Sequence, residues 1–132
     1  MANPKTKVFG LPDSGFFVDY ASNRTGRHDY ARKIKALVDT VNQITPLPNS
    51  KCAQDNKENP HYCMMAEHLV KYIETPIFIS ESTYDFFQMQ AILQIPCMQF
   101  PYWPADINNC TGKDDQLEEM AKFANYTRDL LE

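Results

Sequence analysis

The sequence has no apolar run of about 18 residues, so no membrane-spanning segment is predicted. Its first residues, MANPKTKVFG, also lack the apolar stretch of a signal peptide. The net charge is only -4, and a basic cluster on a predicted helix is interrupted by Asp29, which is typical of a solvated face and argues against nucleic-acid binding. That cluster consists of Arg24, Arg27, Arg32, Lys33 and Lys35. The 132 residues, with 43% hydrophobic content, are enough for one globular domain.

The four cysteines occur as two local pairs in polar loops, Cys52 with Cys63 and Cys97 with Cys110. They lack C-x-x-C spacing, and the neighbouring histidines match no standard zinc pattern, so no metal site is predicted. Local pairing would close short loops, which a disulfide stabilises by about 3 kcal/mol. The sequence alone leaves other pairings open. Disulfides in a chain of this size indicate an oxidising compartment.

Three N-x-S/T sequons, at Asn23, Asn109 and Asn125, point to the same compartment and are predicted glycosylation sites. We therefore expect a secreted, extracellular protein whose signal peptide is not in this chain.

Two short apolar runs, KVFGL (7–11) and IFIS (77–80), predict strands, because both lack polar alternation and are followed by turn residues. Apolar spacing and capping residues predict helices around them. Those helices cover residues 28–44, 60–73, 85–94 and 113–132. This order predicts an α/β fold with parallel strands flanked by helices. Two strands cannot complete such a sheet, so we expect one end of a larger α/β domain.

An acidic residue follows each predicted strand, Asp13 after the first and Asp85 after the second. Catalytic groups in open α/β sheets gather beyond the carboxyl ends of the strands. The alternative for either residue is a turn or helix-capping carboxylate, which also suits Asp in these positions. Spacing alone leaves both interpretations open.

Several segments resemble the pectin acetylesterase and Notum family, and they occur in the same order. They are PDSGFFVD (12–19), SNRTGRHDYARKI (22–34), the Cys52 to Cys63 loop, TPIFISESTYDFFQ (75–88) and NNCTGKDDQLEEMAKFANYTRDLL (108–131). The resemblance covers nearly the whole chain. It implies an α/β-hydrolase-like fold, hydrolysis of carboxylic esters by a Ser-Asp-His triad without a cofactor, and Asp85, in the YDxxQ segment, as the triad acid. The implied substrates are acetylated polysaccharide or acylated protein.

The other two triad residues are not found in the sequence. No serine lies in a G-x-S-x-G elbow, and His28, His61 and His68 all precede Asp85, whereas the histidine of α/β hydrolases follows the acid. We therefore expect residues 1–132 to be the C-terminal part of a single α/β-hydrolase-like catalytic domain. This incomplete fold would contain two parallel-type strands with flanking helices and would be inactive alone. The alternative is a truncated, non-catalytic secreted protein that binds a partner.

Overall fold

The computed structural model describes residues 6–22, 24–42, 50–99 and 107–132, and most of its regular structure is helical. The α-helices in these ranges are α1 (Asp29–Leu37), α2 (Ser50–Asp55), α3 (Ala66–Leu69), α4 (Phe86–Ala91) and α5 (Asp114–Leu131). A π-helical turn covers Val38–Asn42, and 3-10 turns cover Pro60–Met64, Val70–Tyr72, Pro96–Met98 and Ile107–Cys110.

The long helix α5 lies where the sequence predicts it. Asp114 and Asp115 occupy its first turn and Arg128 its last, an arrangement that complements the helix dipole. Its buried side contributes Met120 and Phe123 to the main core. The core also includes Phe16, Val18, Met89, Ile92, Leu93, Ile95, Met98 and the Cys97–Cys110 pair. Helix α5 therefore packs against α4 and against the loop that follows the first apolar run.

Two predicted helices are broken in the structure. The helix expected over 28–44 is α-helical only in α1 and then widens into the π-helical turn, while its predicted end lies outside the described residues. The helix expected over 60–73 is divided, because Met65 has extended backbone torsions (φ -111°, ψ 127°) that no continuous helix contains. Met65 is buried, so its apolar character reflects packing in a turn rather than one side of a helix.

The structure joins Cys52 to Cys63 and Cys97 to Cys110, which is the local pairing favoured by the sequence. Separations of 11 and 13 residues close two short loops. All four cysteines are buried, and none of them is a free thiol. The second bridge belongs to the main core, whereas the first forms a small cluster with Leu69 and Tyr72.

We expect thiol counting on the denatured, unreduced protein to find no reactive thiol, because both bridges persist when the chain unfolds. A sample reduced after denaturation provides the control and should titrate four thiols, because the buried bridges are then accessible to the reductant. Each bridge should also stabilise the fold by about 3 kcal/mol through its short closed loop. Reactive thiols in the unreduced sample would contradict the pairing.

The two apolar runs pair in parallel through isolated bridges, Gly10 with Ile77 and Asp13 with Ser80. We call residues 10–14 and 76–80 the first and second paired segments. Backbone hydrogen bonds of 2.8 to 3.0 Å connect them along this length. A Cβ at Gly10 would lie only 2.8 Å from Ile77 Cγ2, so glycine permits the close approach of the two backbones.

Large apolar side chains on and beside the paired segments are exposed to solvent. The exposed fractions are 63% for Val8, 69% for Phe9, 68% for Leu11 and 71% for Phe78. The sequence predicts these runs as buried strands, but no other part of the described chain covers these side chains. Among the described residues, only these two segments pair, so neither outer edge has a neighbouring strand there.

Candidate active site

Three carboxylates lie at the carboxyl ends of the two paired segments. Asp13 is the next-to-last residue of the first segment, Glu81 directly follows the second, and Asp85 lies four positions after Glu81. We call these residues the acidic edge. Because the segments run parallel, both of their carboxyl ends meet on this side of the molecule.

Glu81 fixes the turn that follows the first paired segment. Its Oε2 accepts a hydrogen bond of 2.8 Å from the Phe16 amide, and its Oε1 accepts one of 3.1 Å from the Ser82 amide. Burial raises the pKa of Glu81, the two amide hydrogen bonds act in the opposite direction, and the charges of Asp85 and Asp13 add to the rise. Burial is thus the main cause of the raised pKa of Glu81, and the two neighbouring carboxylates add to it.

Asp85 is the N-cap of α4. Its Oδ1 accepts a hydrogen bond of 2.7 Å from the Gln88 amide, and its backbone torsions (φ -58°, ψ 123°) are non-helical, as is usual at a cap. The side chain is partly buried. Asp85 therefore acts as the helix-capping residue that the sequence allowed. The cap also holds its carboxylate at the acidic edge.

Gln88 connects α4 to the loop that leaves the first paired segment. Its side chain is completely buried; Nε2 donates to the Phe16 carbonyl at 3.2 Å, and Oε1 accepts from the Val18 amide at 3.2 Å. The side-chain amide thus pairs with this backbone much as a neighbouring strand would. Because the Gln88 backbone amide also donates to Asp85, one residue links the cap, the helix and the loop.

The histidines gather around Asp19 rather than around Asp85. His28 Nδ1 lies 2.7 Å from Asp19 Oδ1, and His68 Nε2 lies 3.7 Å from Asp19 Oδ2. His61 belongs to the same group, because the Tyr62 ring lies between His61 and His68 at centroid distances of 4.5 and 4.3 Å. No histidine hydrogen-bonds to Asp85 within the described ranges.

A comparison with protein families gives a match over the whole chain. The family model for pectinacetylesterase matches residues 1–132. The chain belongs to the pectinacetylesterase family. Membership implies carboxylic ester hydrolysis and therefore ester substrates. No solved structure matches this pectinacetylesterase chain significantly.

The aromatic residues of this pectinacetylesterase chain have different environments near the acidic edge. Phe16 is buried in the core, whereas Phe17 contacts the half-exposed Phe87 with ring centroids 5.3 Å apart. Tyr84, directly before Asp85, is 54% exposed. It lines a cavity of about 470 Å³ with Met98, Leu117 and Met120. Apolar surface is therefore available beside Asp85.

Two of the three predicted modification sites lie in the described part of the chain. Asn125 is exposed on α5, while Asn109 is only partly exposed and precedes the disulfide-bonded Cys110. Asn23 lies outside the described residues. In the described part of the chain, no group of three or more His, Cys, Asp or Glu residues is arranged to hold a metal ion. No helix described here is long and apolar enough to cross a membrane.

The sequence did not predict the group formed by Asp19 and the three histidines. Its members are separated by up to 49 positions and follow no common spacing, so no local pattern connects them. Glu67 completes this network, because its carboxylate accepts from the Asp19 amide at 2.6 Å and from the Tyr126 hydroxyl at 2.8 Å. Burial raises the pKa of Tyr126, and the hydrogen bond to Glu67 raises it further.

Proposed function

We propose that this chain forms the C-terminal part of the catalytic domain of a secreted carboxylic ester hydrolase, and that Asp85 is the acid of its Ser-His-Asp triad. The observation that carries the proposal is the family match over all 132 residues. The position of Asp85 after the second of two parallel segments gives it further support.

The chemistry required of Asp85 is to accept a hydrogen bond from the imidazole of a histidine. This bond fixes the histidine tautomer and stabilises the imidazolium that forms when the serine attacks the ester carbonyl. The cap uses Oδ1, and a carboxylate has about four acceptor positions over its two oxygens. Capping and catalysis are therefore compatible on one side chain, and the cap would hold the carboxylate in a fixed position.

The proposal assigns the serine and the histidine to residues other than these 132. No G-x-S-x-G segment occurs in the sequence, and the described histidines surround Asp19. The exposed apolar side chains of the paired segments fit an incomplete α/β-hydrolase-like fold with two parallel-type strands. In the complete domain, further strands would pair with the open edges and cover those side chains.

Secretion is supported by the two disulfides and the three sequons, since both features suit an oxidising compartment. The substrate would be an ester of either acetylated polysaccharide or acylated protein. A non-catalytic binding protein is the second candidate, and the absence of an elbow serine from the sequence favours it.

An esterase assay separates the two candidates. We expect the purified 132-residue chain to release no product from a short-chain aryl ester above the buffer rate, because an orienting carboxylate has no nucleophile to assist. A longer protein that adds an upstream G-x-S-x-G segment and a downstream histidine should hydrolyse the same ester. No hydrolysis by that longer protein would support the binding protein. Hydrolysis by the short chain that disappears in Asp85→Asn would reveal a local nucleophile and overturn the triad assignment.

A further inference from the structure

A closed path of hydrogen bonds runs through the acidic edge and includes Asp85, whose Oδ1 accepts from the Gln88 amide at 2.7 Å. The Gln88 side chain donates to the Phe16 carbonyl at 3.2 Å, and the Phe16 amide donates to Glu81 Oε2 at 2.8 Å. Glu81 Oε1 accepts from the Ser82 amide at 3.1 Å, and the Ser82 carbonyl accepts from the Asp85 amide at 3.0 Å. We call this path the Asp85 ring. It ties both the carboxylate and the backbone amide of Asp85 to the loop that leaves the first paired segment.

Glu81 closes the Asp85 ring because it uses both of its carboxylate oxygens. An ionised carboxylate only accepts hydrogen bonds, and it can accept from two amides at once. A glutamine at this position would have one accepting oxygen and an NH2 group facing the other amide, so one of the two bonds would be lost. Because the Glu81 side chain is partly buried, water would compensate only part of that loss. Replacing Glu81 therefore opens the ring between Phe16 and Ser82.

The charge of Glu81 is unfavourable at this position. Burial is the largest factor that raises its pKa, and the charges of Asp85 and Asp13 raise it further, while the hydrogen bonds from the two amides lower it. A neutral side chain would avoid the burial and the repulsion but could not accept from both amides through two equivalent oxygens. The pair of amide hydrogen bonds therefore accounts for a carboxylate here.

Helix α4 cannot fix the position of Asp85 without support from outside the helix. It has only six residues, and a helix of this length is not stable by itself in water. The orientation of a catalytic group matters strongly, since a misplacement of about 1 Å can lower a rate by about 10²-fold. The Asp85 ring provides support at the cap itself, from the side of the first paired segment.

We propose that Glu81 is a positioning residue for ester hydrolysis: by closing the Asp85 ring, it holds the Asp85 carboxylate in the orientation that a triad histidine requires. This catalytic consequence rests on the proposed function, whereas the coupling of Glu81 to the Asp85 cap does not. Glu81 itself touches neither the substrate nor the reacting atoms in this proposal.

Amide hydrogen exchange, followed by NMR on the 132-residue chain, tests the coupling without any ester hydrolysis. In Glu81→Gln we expect the amide of Phe16 or Ser82 to exchange about ten-fold faster, because one of the two loses its acceptor. The Gln88 amide should also exchange at least about five-fold faster, although its acceptor is Asp85, because the open ring weakens the cap. Unchanged exchange at Gln88 would overturn the proposal.

Two further variants and one internal reference complete the exchange test. Glu74→Gln is the matched control: it removes the same charge from an exposed position shortly before the second paired segment and should leave exchange at Gln88 unchanged. Phe123, buried on α5, reports unfolding of the whole chain and should exchange at the wild-type rate. If Glu81→Gln does not fold, Glu81→Asp replaces it, because that variant keeps the charge but is one methylene group too short to span both amides. Faster exchange at Gln88 in Glu81→Asp supports the coupling, and a wild-type rate overturns it.

The catalytic consequence is measured in the longer protein that contains the elbow serine and the histidine. Glu81→Gln should lower kcat by about ten-fold and change KM by less than about two-fold, since the orientation of the triad changes but substrate binding does not. The ratio of wild-type to variant kcat should fall towards one as the pH falls through the raised pKa of Glu81, because a protonated Glu81 also presents a donor to one of the two amides. A side chain that only fills space would give a ratio independent of pH, and that result would overturn the positioning role.

The two measurements separate this inference from the proposed function. A wild-type longer protein without esterase activity would overturn the proposed function, whereas exchange at Gln88 would still decide whether Glu81 supports the Asp85 cap. An active longer protein in which Glu81→Gln has the wild-type kcat would leave the proposed function standing and overturn the positioning role.

Discussion

Replacing Asp85 with Asn should lower kcat by about 10³- to 10⁴-fold in the longer protein that contains the elbow serine and the histidine. The amide removes the negative charge that stabilises the imidazolium and presents the histidine with a donor as well as an acceptor. The fold should survive, because Asn caps a helix as well as Asp does, and its side-chain oxygen can accept the Gln88 amide. Initial rates on an aryl acetate measure the effect.

Asp13→Asn is the matched control for this experiment. It removes the same charge from the same acidic edge, but Asp13 is exposed and lies outside the YDxxQ segment. Its effect on kcat should be much smaller. Equal losses in the two variants would mean that the edge acts through its total charge, and Asp85 would then have no special role as the triad acid.

Replacing Gln88 with Leu should reduce the free energy of unfolding by about 2 to 5 kcal/mol. Leucine has a similar size, but it leaves the Phe16 carbonyl and the Val18 amide buried without their partner. A loss of this size is a large part of the total stability of about 5 to 15 kcal/mol for a small domain. Urea unfolding followed by circular dichroism gives the difference.

Gln54→Leu provides the control for the change in side-chain chemistry, because Gln54 is exposed on α2. Its effect should stay within about 0.5 kcal/mol. Gln88→Glu adds a test of the donor: a carboxylate can accept from the Val18 amide but cannot donate to the Phe16 carbonyl unless protonated. The folded state would raise the pKa of that Glu, so this variant should lose stability as the pH rises through the pKa. A Gln88→Leu protein as stable as wild type would refute the bridging role.

The sequence predicts the elements whose signals are local. The helix α5 follows from its apolar spacing and terminal charges, and the start of α4 follows from Asp85 as a capping residue. The break at Met65 could not be predicted, because an apolar residue at helical spacing looks the same whether it lies on a helix or in a turn beside a disulfide. Tertiary packing determined the backbone conformation of that segment.

The candidate site likewise has one part that the sequence predicts and one part that it does not. A motif within one segment brings Asp85 and Gln88 together, so the sequence identifies both as neighbours. The network of Asp19, Glu67 and the histidines depends on contacts between residues up to 59 positions apart, the widest being that of Tyr126 with Glu67. Such contacts depend on how the helices pack, and no local pattern in a single sequence predicts them.

The shared hydrogen bond between Asp85 and the start of α4 also constrains how this chain can change over evolutionary time. Under the proposed triad role of Asp85, a lineage that lost the esterase reaction would no longer need a carboxylate at this position, yet it would still need a side chain that caps the helix carrying Gln88. Neutral drift would then be limited to Asn, Ser and Thr, the other good capping residues, while Gln88 would be retained. An Asn, Ser or Thr at position 85 would thus indicate a lineage that no longer performs the proposed reaction, and Gln88 beside it would indicate that the fold is retained.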